Sequence, residues 1–154
     1  MKLNPAIEKA LKQISFVERY KSLSAEFDEI RTPLNDRLRY IDGEIIIEIV
    51  ESLGYTVEFN SKDKYFLTKE DQINGKYKTL VKFDLNGGMV EFIWEVWLKD
   101  KVILGSPWGT YSVRMGMNEG RIKKPIFGTY EDLGEIFRIG FELYEDFKKA
   151  LIEQ

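Results

Sequence analysis

The side chains able to do chemistry in this chain of 154 residues are few in kind. It contains no His and no Cys. A Ser-His-Asp triad, an imidazole general base, a thiolate nucleophile and zinc held by Cys or His are therefore excluded. Catalysis would rest on carboxylates, Lys, Tyr, Ser or Thr, or on a carboxylate-bound divalent cation. The best-spaced carboxylates are Asp84, Glu91 and Glu95. Glu91 and Glu95 are four residues apart, on one face of a predicted strand, and Asp84 sits on that face near the preceding turn. Such a group could hold Mg²⁺ for a metal-dependent hydrolase. The same residues also make an ordinary salt-bridged sheet face. A restriction-type nuclease needs acid-x-Lys on its strand, and neither Glu91-Phe92-Ile93 nor Glu95-Val96-Trp97 supplies the Lys. Gly105-Ser106-Pro107-Trp108-Gly109 is not a phosphate-binding Walker loop, and Gly-x-Gly-x-x-Gly is absent. No cofactor is expected.

The aromatic residues are more informative. Trp94, Trp97 and Trp108 fall close together, with Tyr111 just beyond. Trp94 and Trp97 are three apart, so on a strand they point to opposite faces. Trp94 shares its face with Val90, Phe92 and Val96, the expected core side. Trp97 then faces outward, and with the Pro-Trp-Gly loop it suggests an anchor for a protein partner, because Trp and Tyr are frequent interface hot spots. Trp97, Trp108 and Tyr111 are the candidate apolar contacts; the competing reading is a second small core under a loop. The outer face of the last helix carries Glu131, Glu135, Glu142, Glu145 and Asp146, with Arg138 and Lys149 interspersed. Glu142 and Glu145 are the candidates for steering a basic partner.

These residues need elements to position them. Asn4-Pro5 predicts a helix start, Asn as N-cap and Pro at the first position. Ile7, Leu11, Ile14, Val17 and Tyr20 continue a helical stripe that stutters near Ser22-Leu23-Ser24, and Pro33 ends it. Asp42-Gly43-Glu44 opens a helix burying Ile45, Ile46, Ile49, Val50 and Leu53, with Gly54 as its left-handed stop. The period then changes to two. Strands are predicted around Tyr55, Val57 and Phe59 and from Tyr65, followed by a turn over 71–75. A hairpin over 77–98 turns at Asn86-Gly87. Counting outward, Phe83 faces Val90, Val81 faces Phe92, Thr79 faces Trp94, Lys82 meets Glu91 and Lys78 meets Glu95. Val102-Ile103-Leu104 makes a further strand, 110–115 another, and 118–124 a basic loop. Thr129 caps a last helix that buries Leu133, Ile136, Phe137, Phe141, Tyr144, Phe147 and Leu151. Helices, then an antiparallel meander of four to six strands, then a long C-terminal helix on one sheet face predict an α+β fold in a single domain over residues 1–154.

The bulk composition agrees. At 44% hydrophobic and 32% charged, the chain is globular in character. No secretory signal and no membrane-spanning run is legible, so a cytoplasmic protein with no membrane partner is expected. Net charge is −2 over 1–53, +3 over 54–125 and −4 over 126–154. That distribution lacks the coherent basic face of a nucleic-acid binder.

With Phe92-Ile93-Trp94-Glu95-Val96-Trp97 followed by Ser106-Pro107-Trp108-Gly109, this small acidic chain resembles, in overall character, the immunity proteins of bacterial polymorphic-toxin systems. The resemblance implies a compact, cytoplasmic, non-enzymatic protein that neutralises a basic toxin domain, and it transfers no functional residues. Two other functions compete with this binding module. One is the metal-dependent hydrolase built on Asp84, Glu91 and Glu95. The other is a small-ligand binder with an aromatic pocket beside Trp94 and Trp108.

Overall fold

A computed structural model describes residues 2–117 and 120–154. The elements in chain order are α1 (Pro5–Gln13), α2 (Phe16–Glu26), α3 (Gly43–Ser52), β1 (Val57–Asn60), β2 (Tyr65–Thr68), β3 (Asp71–Ile73), β4 (Tyr77–Asp84), β5 (Glu91–Leu98), β6 (Lys101–Leu104), α4 (Tyr111–Arg114) and α5 (Tyr130–Ile152). The expected α+β architecture is present. The strands form one antiparallel sheet in the order β1-β2-β4-β5-β6, and β3 pairs with the first half of β4. None of the described helices is long and apolar enough to cross a membrane.

Local chemistry sets the helix starts. The Asn4 side chain accepts from Ala6 and Ile7 N–H, Asp42 from Glu44 N–H and Thr129 from Asp132 N–H. Gly54 closes α3 at φ +97°. The first helical stripe breaks earlier than expected. Ser15 adopts φ +54°, which ends α1 and starts α2 in a new direction. The break lets Ile7 and Leu11 bury on one course and Phe16 and Tyr20 on another, so the apolar spacing runs through it unmarked.

The central hairpin differs from its predicted register by two residues. Phe83 faces Phe92, Val81 faces Trp94, Thr79 faces Val96 and Asp84 faces Glu91. The turn is wider than Asn86-Gly87: residues 86–88 form a single 3-10 turn, with Gly87 and Gly88 both at positive φ. A neighbouring segment causes this. Val90 N–H donates to Pro125 O, and Met89 bridges Ile126, so both leave the hairpin ladder. A two-residue shift keeps side-chain parity, and every predicted face survives.

Two further expectations are corrected. Residues 71–73 are a strand, and the turn there narrows to Asn74-Gly75, both at positive φ. Residues 110–115 are not a strand: a 3-10 turn over Trp108–Thr110 runs into α4. The predicted loop over 118–124 is irregular from 120 onward; Asn118 and Glu119 lie outside the described residues.

The core lies between the sheet and the helices. From β4 and β5 it receives Val81, Phe83, Phe92, Trp94 and Val96, and from α5 Leu133, Phe137, Tyr144 and Phe147. Phe83 meets Phe137 at 4.8 Å between centroids, and Trp94 stacks on Phe147 at 4.6 Å. All helix-facing aromatics of the hairpin point to this one side.

Candidate functional site

The opposite side of the sheet is the candidate site, and Trp97 stands on it as predicted. It shares that face with Leu80, Ile93 and Glu95 of β5 and β4. Register adds Leu67, which pairs with Lys82, and Val102, which pairs with Trp97 and is 45% exposed. The α5 rings Phe137 and Phe147 pack on the other face, against Phe83 and Trp94. Trp97 is half-buried and held from two sides. Its indole N–H donates to Glu95 Oε1 at 2.7 Å, and Lys78 Nζ sits 4.6 Å from its ring. A Trp clamped by a carboxylate and a cation has little rotamer freedom left to lose on binding.

Lys82 organises the rest of the face. It pairs with Glu95 at 2.7 Å and lies 4.8 Å from the Tyr65 ring. Glu91 and Glu95 are thus partnered, though not as the two-residue turn implied. Glu95 meets Lys82 diagonally, Glu91 meets Lys124 at 2.8 Å, and Lys78 reaches Glu70 at 3.6 Å. Burial alone would raise the Glu95 carboxyl; the bonds from Lys82 and Trp97 outweigh it and hold Glu95 below the ordinary carboxylate range. Asp84 goes the other way. Burial, together with Glu91 across the hairpin, raises its carboxyl despite the Asn86 N–H. Among the described residues no three of Asp, Glu, His and Cys converge on a point where a metal ion would fit. Asp84, Glu91 and Glu95 share a face without forming a coordination cage.

Trp108 and Tyr111 are corrected. They were expected beside Trp97, but they lie across the sheet in the main core, 1% and 0% exposed. The helical turn that replaced the predicted strand is the reason. At helical spacing, residues three apart share a side, so both rings go inward. Trp108 packs on Phe16, Tyr20, Phe92 and Trp94 at 4.4–5.1 Å. Tyr111 OH accepts from Trp94 N–H at 3.3 Å, on the stretch of β5 that β6 does not pair. Trp94 and Trp108 meet edge to face, so these rings fill the space a pocket beside them would need.

Glu142 and Glu145 do not join Trp97 either. Both lie on α5, in the helical layer. Glu142 is exposed and pairs with Arg138 at 3.1 Å, while Glu145 accepts from Tyr55 OH and pairs with Lys148 at 2.9 Å. Asp146 pairs with Arg19. The helical layer keeps exposed carboxylates all the same: Glu18, Glu26 and Glu142 line a shallow groove between α2 and α5. Leu67, Leu80 and Tyr65 were missing from the predicted site; their strand period of two, combined with the Lys82 register, is the signal that places them.

Comparison with protein-family models, curated proteins and solved structures finds no match for this chain.

Proposed function

We propose that this protein is a non-catalytic binding module that docks a protein partner on the open face of its sheet. The observation that carries this reading is Trp97, clamped in one orientation by Glu95 and Lys78 amid Leu67, Ile93 and Val102. An aromatic anchor with its conformation already chosen, on a half-apolar face rimmed by paired charges, has the character of an interface centre. The partner class is a basic toxin domain, neutralised by occlusion. The net charge of −3 favours long-range approach of a basic surface, while Glu18, Glu26 and Glu142 lie in the helical layer and take no part in the docking face. Of the carboxylates that would serve a hydrolase, Glu95 is instead committed to Lys82 and Trp97 and Glu91 to Lys124.

The test is calorimetric titration with the polypeptide encoded next to this one, paired with growth protection on co-expression. Stoichiometric binding and protection are expected. Trp97→Ala should weaken binding by about 30-fold or more, the equivalent of a hot spot of roughly 2 kcal/mol, with an unchanged circular dichroism spectrum. Absence of binding, or equal affinity of the variant, overturns the proposal.

A further inference from the structure

A cleft of about 720 Å³ opens between the C-terminal half of α2, the 28–37 loop and the segment 120–126. Its walls are tied together by backbone bonds: Ile126 N–H to Phe27 O at 2.8 Å, Phe127 N–H to Gly88 O at 2.9 Å and Leu38 N–H to Phe127 O at 3.0 Å. Gly88 matters here because a Cβ on it would stand 2.8 Å from Arg37 Cβ. Arg37 thus sits directly over that glycine. The cleft is preformed, and its volume falls in the range of small-ligand sites.

Its lining has two characters. Ile30, Met89, Ile122 and Ile126 are apolar, and Ile30 is 85% exposed at the rim. Five cations face two carboxylates, Asp28 and Glu29. Asp28 is already occupied, accepting from Ile30 and Arg31 N–H. Lys124 is paired with Glu91. Arg37, Arg121 and Lys123 have no carboxylate within ion-pair distance among the described residues, and the buried Nε of Arg37 has no acceptor. A preformed cleft with unmatched positive charge and apolar walls calls for a ligand that is both anionic and apolar.

We propose that this cleft binds a small anionic amphiphile. Its oxyanion head, phosphate or carboxylate, is held by Arg37, Arg121 and Lys123, and its apolar body lies against Ile30, Met89, Ile122 and Ile126. The site uses no residue of the Trp97 face, so the two readings stand or fail separately.

Octyl phosphate, octanoate, octanol and inorganic phosphate serve as probes in titrations followed by calorimetry and backbone amide shifts. Saturable one-to-one binding of octyl phosphate or octanoate is expected, with shifts confined to 21–38, 88–90 and 120–127. The tighter of the two assigns the head group. Octanol and inorganic phosphate should each bind at least tenfold more weakly. The variant Arg121→Gln/Lys123→Gln, altered at two exposed positions, should bind at least tenfold more weakly at an unchanged melting temperature. Failure of both anions to bind, octanol binding as tightly, unchanged affinity in the variant, or inorganic phosphate matching octyl phosphate (an adventitious ion only) would each overturn it.

Discussion

Asp84 and Glu95 share a sheet face and respond to protons in opposite senses. Glu95 is held below the ordinary carboxylate range, so its ionised form favours the fold. That contribution is present at neutral pH and is lost as pH falls through its lowered folded value. Asp84 is raised, so its protonated form favours the fold; its contribution is present at low pH and is lost as pH rises through the raised folded value. Glu95→Gln should therefore lower stability at pH 7 and do little at pH 2. Asp84→Asn should raise stability at pH 7 and change little at pH 2. Urea midpoints at the two pH values measure both effects. A loss of stability in Asp84→Asn at pH 7 would show that the Asn86 N–H bond to its carboxylate outweighs burial and the facing Glu91. At this scale the charges on the face were legible, and their partners were not. Lys82 and Glu95 carry no mark of being diagonal neighbours, because only the turn width decides it.

At the scale of the element, α5 contains two glycines with opposite outlooks. Alanine generally improves a helix interior over glycine by about 0.8–1 kcal/mol. At Gly134 an added Cβ meets only Ile49 Cγ2 at 3.8 Å, an ordinary contact. Gly134→Ala should stabilise by up to about 1 kcal/mol. At Gly140 the same Cβ would stand 2.5 Å from Phe92 Cζ, inside the core. Gly140→Ala must displace the Phe92 ring and should destabilise by about 1–3 kcal/mol despite the better propensity. Equilibrium denaturation of the pair tests this, and a gain at both positions would mean that the Phe92 ring moves freely. The apolar face of α5 was fully readable, since seven predicted residues from Leu133 to Leu151 are all buried. The break at Ser15 was not. The apolar spacing continues through it, and nothing local in Ile14-Ser15-Phe16 demands a left-handed residue.

At the scale of the whole molecule, the three tryptophans divide between two sides of one sheet. Trp94 and Trp108 hold the core together with Phe16, Phe92 and Phe147. Trp97 stands alone on the other side. Truncating Trp108 empties a packed interior and should cost about 3–5 kcal/mol. Trp97→Ala loses only its contacts with Glu95 and Lys78 and part of its burial, and should cost roughly 1–2 kcal/mol. Denaturant midpoints compare the two, and a Trp97 cost equal to that of Trp108 would make Trp97 a structural residue rather than an anchor. This division also separates Trp97 from Glu142 and Glu145, which belong to the helical layer.

The one-dimensional pattern was enough for the α+β class, the caps at Asn4 and Thr129, the helix start at Asp42, the buried stripe of α5 and the facing of Trp94 and Trp97. Each of these depends on periods of 2 or 3.6 residues, or on bonds spanning three residues, and such short-range physics is written in neighbouring letters. The hairpin register, the fate of Trp108 and Tyr111, and the cleft at Arg37 were settled by distant chain. Pro125 and Ile126 take Val90 and Met89 out of the ladder, and that alone shifts the register. Phe16, brought round by the Ser15 break, completes the ring cluster that draws Trp108 and Tyr111 inward. Arg37 and Arg121 are far apart in sequence and line one cleft only because Leu38 N–H donates to Phe127 O and Phe127 N–H donates to Gly88 O. Contacts of this kind follow from packing the whole chain, in which no single segment carries the preference that decides the outcome.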